Sequence, residues 1–307
     1  MRIVVALGGN ALLPRGERPD SAIQVERIAE VAPALAAVAA EHELVLVHGN
    51  GPQVGMLALE SAADPDLTTP YPFSELVAET QGLIGYWLQQ ALTNAGLTSP
   101  VVTLVTQTVV DAEDPAFAHP TKFVGAGYDE ATAREQAERH GWTVRLDGSR
   151  WRRVVASPLP VRIVEVETAR VLLQHRTTVV LAGGGGVPVV EGPHGLRGAD
   201  AVVDKDHVAA LVATDLGADL LVMLTDVPAV MIDFGTPEQR AIRHVSAANL
   251  RAERFPDGSM GPKVAAACAF AAGTGGRAAI GSLAEAADVI SGAAGTQVSA
   301  MPVGQPT

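Results

Sequence analysis

Apolar residues fall along this chain in two kinds of run. Short runs without alternation, Ile3 to Leu7, Glu43 to Val47, Val101 to Val105, Val179 to Ala182 and Leu220 to Leu224, predict strands buried on both faces. Between them lie longer segments with helical spacing. Ile23 to Ala40 carries Ile23, Ile28, Val31, Leu35 and Val38 on one face, and Ala78 to Leu92, His207 to Leu216 and Val264 to Ala272 also read as helices. The alternation of strand and helix predicts βαβ units and a parallel sheet. Ala278 to Ile280 and a helix around Glu285 close the fold, and the tail after Gly292 is expected to fray unless Val298 adds an edge strand.

The polar residues that end these runs matter more than the runs. The first strand stops at Gly8-Gly9-Asn10 and the second at His48-Gly49-Asn50-Gly51-Pro52-Gln53-Val54-Gly55. Both turns lie on the C-terminal edge of the sheet, where open α/β sheets bind ligands. Pro52 suits the first turn of the next helix, whose free amides and dipole favour an anion. The end of Val101 to Val105 is a third strand end expected at this edge. Gly183 to Gly186 end the Val179 strand, but Val187-Pro188-Val189-Val190 follows instead of a helix, so a dinucleotide fingerprint is rejected, and no GxxxxGK[ST] run exists. The four glycines make a tight turn or leave backbone room for a ligand.

From Asp111 to Pro160 the alternation breaks. Turn-rich stretches at Asp111-Ala112-Glu113-Asp114-Pro115 and His119-Pro120-Thr121-Lys122 precede a charged helix, Glu130 to His140, and a strand-like Trp151 to Val155. This segment reads as an excursion from the main sheet, a lid or a solvated decoration, and Lys122 near its tip favours the lid.

Composition narrows the class. With 307 residues, 48% apolar, 4% aromatic and 31 glycines, the chain suits one large α/β domain or two lobes. A net charge of -12 argues against nucleic acid. The single Cys268 forms no internal disulfide and fits a buried position in a reducing compartment. No run reaches the roughly 18 apolar residues of a membrane span, so a cytoplasmic protein is expected. The histidines show no metal-ligand spacing, and no structural metal is assigned.

Charge type points to the chemistry. Three lysines stand beside nineteen arginines, and Lys122, Lys205 and Lys263 all lie in turns marked by glycine or proline. An ammonium makes a point contact with one phosphate oxygen where a planar guanidinium fork does not fit. Asp204 and Asp206 are ordinary helix-start residues, whereas Lys205 between them sits at the unfavourable end of the dipole unless an anion or carboxylate holds it. Gly258-Ser259-Met260-Gly261-Pro262-Lys263 puts a proline in a first turn, a serine near the cap and a lysine beside free amides. Glycine turns, helix N-termini and isolated lysines, without a nucleophilic Ser, Cys or His constellation, suit phosphoryl transfer.

Taken together, Ala6 to Leu12, His48 to Gly55, Gln81-Gly-Leu-Ile-Gly-Tyr-Trp-Leu-Gln-Gln90, Asp114-Pro-Ala-Phe117, Pro120-Thr-Lys122, Asp204-Lys-Asp206, Phe234-Gly-Thr-Pro237 and Gly258 to Lys263 resemble the carbamate kinases of the amino acid kinase superfamily. The resemblance implies a three-layer α/β/α fold with an open, mostly parallel central sheet of about eight strands and a small protruding subdomain at about Asp111 to Pro160. It implies an N-terminal lobe, residues 1–195, for carbamate or carbamoyl phosphate, and a C-terminal lobe, residues 196–307, for ADP or ATP. The reaction implied is reversible transfer between carbamoyl phosphate and ADP, with Mg²⁺ carried on the nucleotide, in a homodimer, commonly at the end of arginine fermentation. By residue, Gly8, Gly9, Asn10, Gly49, Asn50 and Gly51 would hold carbamoyl phosphate under Lys122. Lys205 and Lys263 would flank the phosphoryl group, held by Asp206. Asp204, Thr225, Asp226, Val227, Phe234, Gly235, Pro237, Met260 and Gly261 would lie near the nucleotide. Phe123 stands where the family often has proline.

Overall fold

The computed structural model describes residues 1–13, 17–255 and 260–301. Among these, eight strands form the main sheet: β1 (Arg2–Leu7), β2 (Glu43–His48), β3 (Val101–Thr103), β4 (Thr178–Val180), β5 (Leu220–Thr225), β6 (His244–Ser246), β7 (Arg277–Ser282) and β8 (Thr296–Ser299). Their spatial order is β6-β8-β7-β5-β1-β2-β4-β3, parallel throughout except between β7 and β8. The unbroken apolar runs follow from this position. On β1, Val4 and Ala6 join one buried cluster with Val208, Val212 and Phe270, while Ile3, Val5 and Leu7 join another with Ile28, Leu35, Ile84 and Leu88. Helices α2 (Ser21–Glu41) and α4 (Phe73–Asn94) cover the second face, and α5 (Lys205–Leu216) and α6 (Met260–Thr274) the first. The chain is thus a three-layer α/β/α structure.

Two expectations change, and a second sheet appears. Val101–Thr103 is an edge strand of intermediate exposure, with only β4 beside it, and although it runs parallel to β4 its end does not line the cavity; β4, with Gly184 in its following turn, supplies the third strand end there. The chain passes from β3 into a second sheet, in which Gln107–Val110 pairs with Val187–Gly192 and Pro160–Ile163. The C-terminal segment does not fray before Ser299, because β8 lies between β7 and β6. Thr296 anchors it there, accepting from Val230 N at 2.9 Å and donating to Ile242 O at 2.6 Å.

The excursion is a three-stranded antiparallel sheet, Lys122–Tyr128, Thr143–Asp147 and Arg150–Val155, with the helix Glu130–His140 beside it. Asp129 caps that helix and Gly141 ends it in the left-handed region. Asp114 ties its base, accepting from Ala116 N at 2.8 Å and from Leu159 N at 3.0 Å. Lys122 pairs with Val155 at this base, so it is not at the tip. The subdomain rests on α3 (Gly51–Ala63): Val124 and Val155 pack with Val54, Phe73, Val77 and Val202. The Arg153 guanidinium stands 4.8 Å from the Phe73 ring and 4.7 Å from that of Trp142. Contact with α3 is backbone to backbone, since a Cβ on Gly55 would lie 2.6 Å from Gly125 Cα. Phe123 carries the guanidinium of Arg152 at 5.5 Å.

Candidate active site

At the C-terminal ends of β1, β2, β4 and β5 lies a cavity of ≈ 190 Å³. It is walled by glycine turns on one side, by the starts of α3, α5 and α6 on others, and by Lys122, Phe123 and Val124 of the subdomain. All three lysines line it. Asp206 accepts from Lys205 Nζ at 2.5 Å on one carboxylate oxygen and from Lys263 Nζ at 3.1 Å on the other. Lys122 Nζ is 2.5 Å from Asp204 Oδ2, while Asp204 Oδ1 accepts the Asp206 amide at 2.9 Å. Asp204 is therefore the cap of α5, and Asp206, with both oxygens on lysines, is not.

Burial sets the electrostatics. It lowers the pKa of Lys205, which Asp206 counteracts and the neighbouring Lys263 reinforces. For Asp204, burial opposes the charge, but Lys122 and Lys205 outweigh it and hold the carboxyl below the usual carboxylate range. His48, behind the glycines, is fully buried and pushed down to about 4 by that burial, so its ring is neutral. Its Nδ1 lies 3.1 Å from Gly49 O, and Nε2 has no hydrogen-bond partner among the described residues.

The glycines divide by function. Gly8 N donates to Leu224 O at 2.8 Å and Gly49 N to Leu7 O at 2.9 Å, so these two amides are engaged by the sheet and the residues contribute room. The Lys205 stem passes beside Gly49. Gly9 opens the short helix α1 (Gly9–Leu12), and Gly51 opens α3, where first-turn amides lack intrahelical acceptors. Asn10 lies on α1; its side chain is outside the described residues, as is Ser259.

The cavity thus gathers Gly8, Gly9, Gly49, Asn50, Gly51, Lys122, Asp204, Lys205, Asp206, Thr225 and Lys263. It does not reach Asp226, Val227, Phe234, Gly235, Pro237, Met260 or Gly261. Phe234 is 72% exposed on the loop after β5. Sequence reasoning left the Gly183 to Gly186 turn open between structure and ligand, and Gly184 does line the cavity; it did not single out Val202 and Val203 as walls, because a run of valine reads as strand.

The chain matches the amino acid kinase family over residues 1–282. It is 48% identical over 304 residues to the carbamate kinase of Rhizobium meliloti, covering 97% of this chain and 93% of that one. Against the carbamate kinase of Escherichia coli K12 it is 46% identical over 297 residues, covering 97% and 99%. The chain belongs to the carbamate kinase branch of this family. The solved structure of a carbamate kinase from Giardia lamblia bound to AMP-PNP matches with a TM-score of 0.88 at 37% identity, over 97% of this chain and 98% of that one. In this branch member, Lys122 of the Pro120-Thr-Lys122 stretch, Asp204-Lys-Asp206 and Pro262-Lys263 meet at one cavity, although they lie far apart in sequence.

Proposed function

We propose that the cavity carries a phosphoryl group directly between carbamoyl phosphate and ADP, in line and with no covalent enzyme intermediate. The observation that supports this most is the Lys205–Asp206–Lys263 bridge, which sets two part-buried ammonium groups at the starts of α5 and α6 opposite the glycine turns of β1 and β2. In such a transfer the protein mainly positions and neutralises charge. Asp206 holds both ammonium groups at the cavity, where in this reading they meet phosphoryl oxygens. No general base is needed, because the accepting oxygen is anionic in both carbamate and ADP.

Residues 1–195 form the lobe for carbamate or carbamoyl phosphate in this reading, with Gly9, Asn10 and Gly51 offering amides and Lys122 closing from the subdomain. Residues 196–307 form the nucleotide lobe, in which Thr225 and the exposed Phe234 to Pro237 turn face ADP or ATP. Among the described residues no group of three or more His, Cys, Asp or Glu is arranged to hold a metal, and the oxygens of Asp204 and Asp206 are taken by lysines and an amide. That donor set fits Mg²⁺ arriving on the nucleotide rather than a resident ion. Mg²⁺ so carried would screen the phosphate charge. A cytoplasmic location goes with this reading, as the single Cys268 suits a reducing compartment; separately, no helix among the described residues is long and apolar enough to cross a membrane. A homodimer is the assembly favoured, with exposed Tyr86 and Val105 near the unpaired edge of β3 as candidate contacts.

Incubation with carbamoyl phosphate, ADP and Mg²⁺ should yield ATP, and Lys205→Ala and Lys263→Ala should each abolish it while the chain stays folded. Undiminished ATP formation in either variant would remove the lysine bridge from the mechanism.

A further inference from the structure

Asn50 is buried and lines the cavity. Its Nδ2 donates to Thr80 Oγ1 at 2.8 Å, and the Thr80 hydroxyl donates to Val77 O, one turn earlier on α4, also at 2.8 Å. This order fixes which way round the carboxamide stands. A hydroxyl has one hydrogen; the hydrogen of Thr80 is committed to a carbonyl, which only accepts, so its oxygen must receive an N–H from Asn50. Gly184, with φ 67°, closes on the same group: a Cβ there would lie 2.2 Å from Asn50 Nδ2 and 2.5 Å from Cγ. The four-glycine run therefore leaves room for protein side chains, Gly183 for the His48 ring and Gly184 for Asn50, rather than simply turning the chain. Thr80 itself is 0% exposed.

With its nitrogen held by Thr80, Asn50 has Oδ1 as its acceptor. The other polar groups around it are ammonium donors, amides, and carboxylates already bonded to lysines. Of the two ends of carbamoyl phosphate, the phosphate has acceptors only, whereas the carbamoyl end carries two N–H donors. Resting on the reading of this cavity as the carbamoyl phosphate site, we propose that Thr80 is a positioning residue that presents Asn50 Oδ1 to the carbamoyl N–H. The pair then sets the preference over acyl phosphates that lack an amino group. A methyl in place of that amino group leaves a desolvated acceptor unpaired, the situation in which polar sites discriminate most strongly.

The test compares carbamoyl phosphate with acetyl phosphate as phosphoryl donors to ADP, in wild type, Thr80→Val, Thr80→Ser and Asn50→Ala, with melting temperature as the control for folding. Thr80→Val keeps the branched shape and removes the hydroxyl. The ratio of kcat/KM for the two donors should fall about tenfold in Thr80→Val, stay near wild type in Thr80→Ser, and fall in Asn50→Ala, with KM for ADP unchanged. Should Thr80→Val not fold, Thr80→Cys, whose thiol is a poor hydrogen-bonding partner, carries the same expectation. Equal loss with both donors in the Thr80 variants would reduce Thr80 to packing and overturn the proposal. Lost selectivity in Asn50→Ala alone would overturn the relay while sparing the site, and an Asn50→Ala variant unchanged toward both donors would overturn the placing of carbamoyl phosphate in this cavity.

Discussion

Lys122 and Asp204, 82 residues apart in sequence, meet at 2.5 Å on the wall of the cavity and tie the subdomain to the start of α5. The pair is part-exposed, with 42% of the lysine side chain accessible, so it contributes less than about 1 kcal/mol to stability. Its effect should be on binding, because an entering phosphate competes with Asp204 for the ammonium. Asp204→Asn keeps the cap of α5, since Asn serves as well as Asp there. KM for carbamoyl phosphate should fall roughly threefold to tenfold, as an anion no longer meets a carboxylate. A rise in KM would mean that Asp204 positions Lys122 for the ligand. The pH dependence has a definite sign. The folded pKa of Asp204 is depressed, so its contribution is present above the unfolded carboxylate value and is lost as pH falls toward the folded one. The melting-temperature gap between wild type and Asp204→Asn should be constant from about pH 5 to 8 and narrow below about pH 4.

Asp206→Asn tests the bridge without touching the cap, which Asp204 provides. Loss of the shared carboxylate leaves two close ammonium groups without their common partner. ATP formation should fall by about 100-fold or more. Lys205, already lowered by burial and supported by Asp206, should drop further, moving the alkaline limb of kcat to lower pH. An unmoved alkaline limb would show that Lys205 does not depend on Asp206 for its charge.

The subdomain docks through a contact that a single methyl blocks. In Gly55→Ala the new Cβ would meet the backbone of Gly125, which cannot rotate away as a side chain does. KM for carbamoyl phosphate should rise at least about tenfold through displacement of Lys122, while ADP affinity, assigned to the other lobe in the proposed function, should be kept. Unchanged kinetics for both ligands would mark the subdomain as decoration.

Much of this was legible in the sequence because it is local. Unbroken apolar runs ending in glycine located β1, β2 and β4, and the lysine count picked out Lys122, Lys205 and Lys263. What the sequence hid depends on pairing across distance. Nothing near Lys122 names Asp204 as its partner, and Thr80 reads as one polar position on an amphipathic helix until Asn50 is seen against it. The place of β8 inside the sheet likewise depends on Thr296 meeting Val230 and Ile242, 66 and 54 residues away.

His48 gives a prediction for acid stability. Its folded pKa is depressed to about 4, so between that value and its unfolded value near pH 6.5 the unfolded chain binds a proton that the native ring refuses. Stability should therefore fall on acidification by about 3 kcal/mol across that window from this group alone. In His48→Gln the corresponding slope should disappear, which urea unfolding at several pH values would reveal. Equal slopes in the two proteins would mean that the ring takes up its proton in the native state.

Lys263→Arg separates charge from geometry. The ammonium of Lys263 bonds one oxygen of Asp206 at 3.1 Å, and the other oxygen holds Lys205. A guanidinium prefers to take both oxygens of a carboxylate in a parallel fork. At this position it would compete with Lys205 for Asp206 and misplace both positive groups. If the site needed only positive charge at the start of α6, the substitution would be mild. If, as proposed, both ammonium groups follow a moving phosphoryl group, a displacement of about an ångström should lower kcat roughly 100-fold. ADP affinity should change far less if, as proposed, the nucleotide is held mainly by other residues of the C-terminal lobe. Steady-state rates set beside an ADP titration decide the matter, and near-wild-type kcat in Lys263→Arg would show that charge alone suffices.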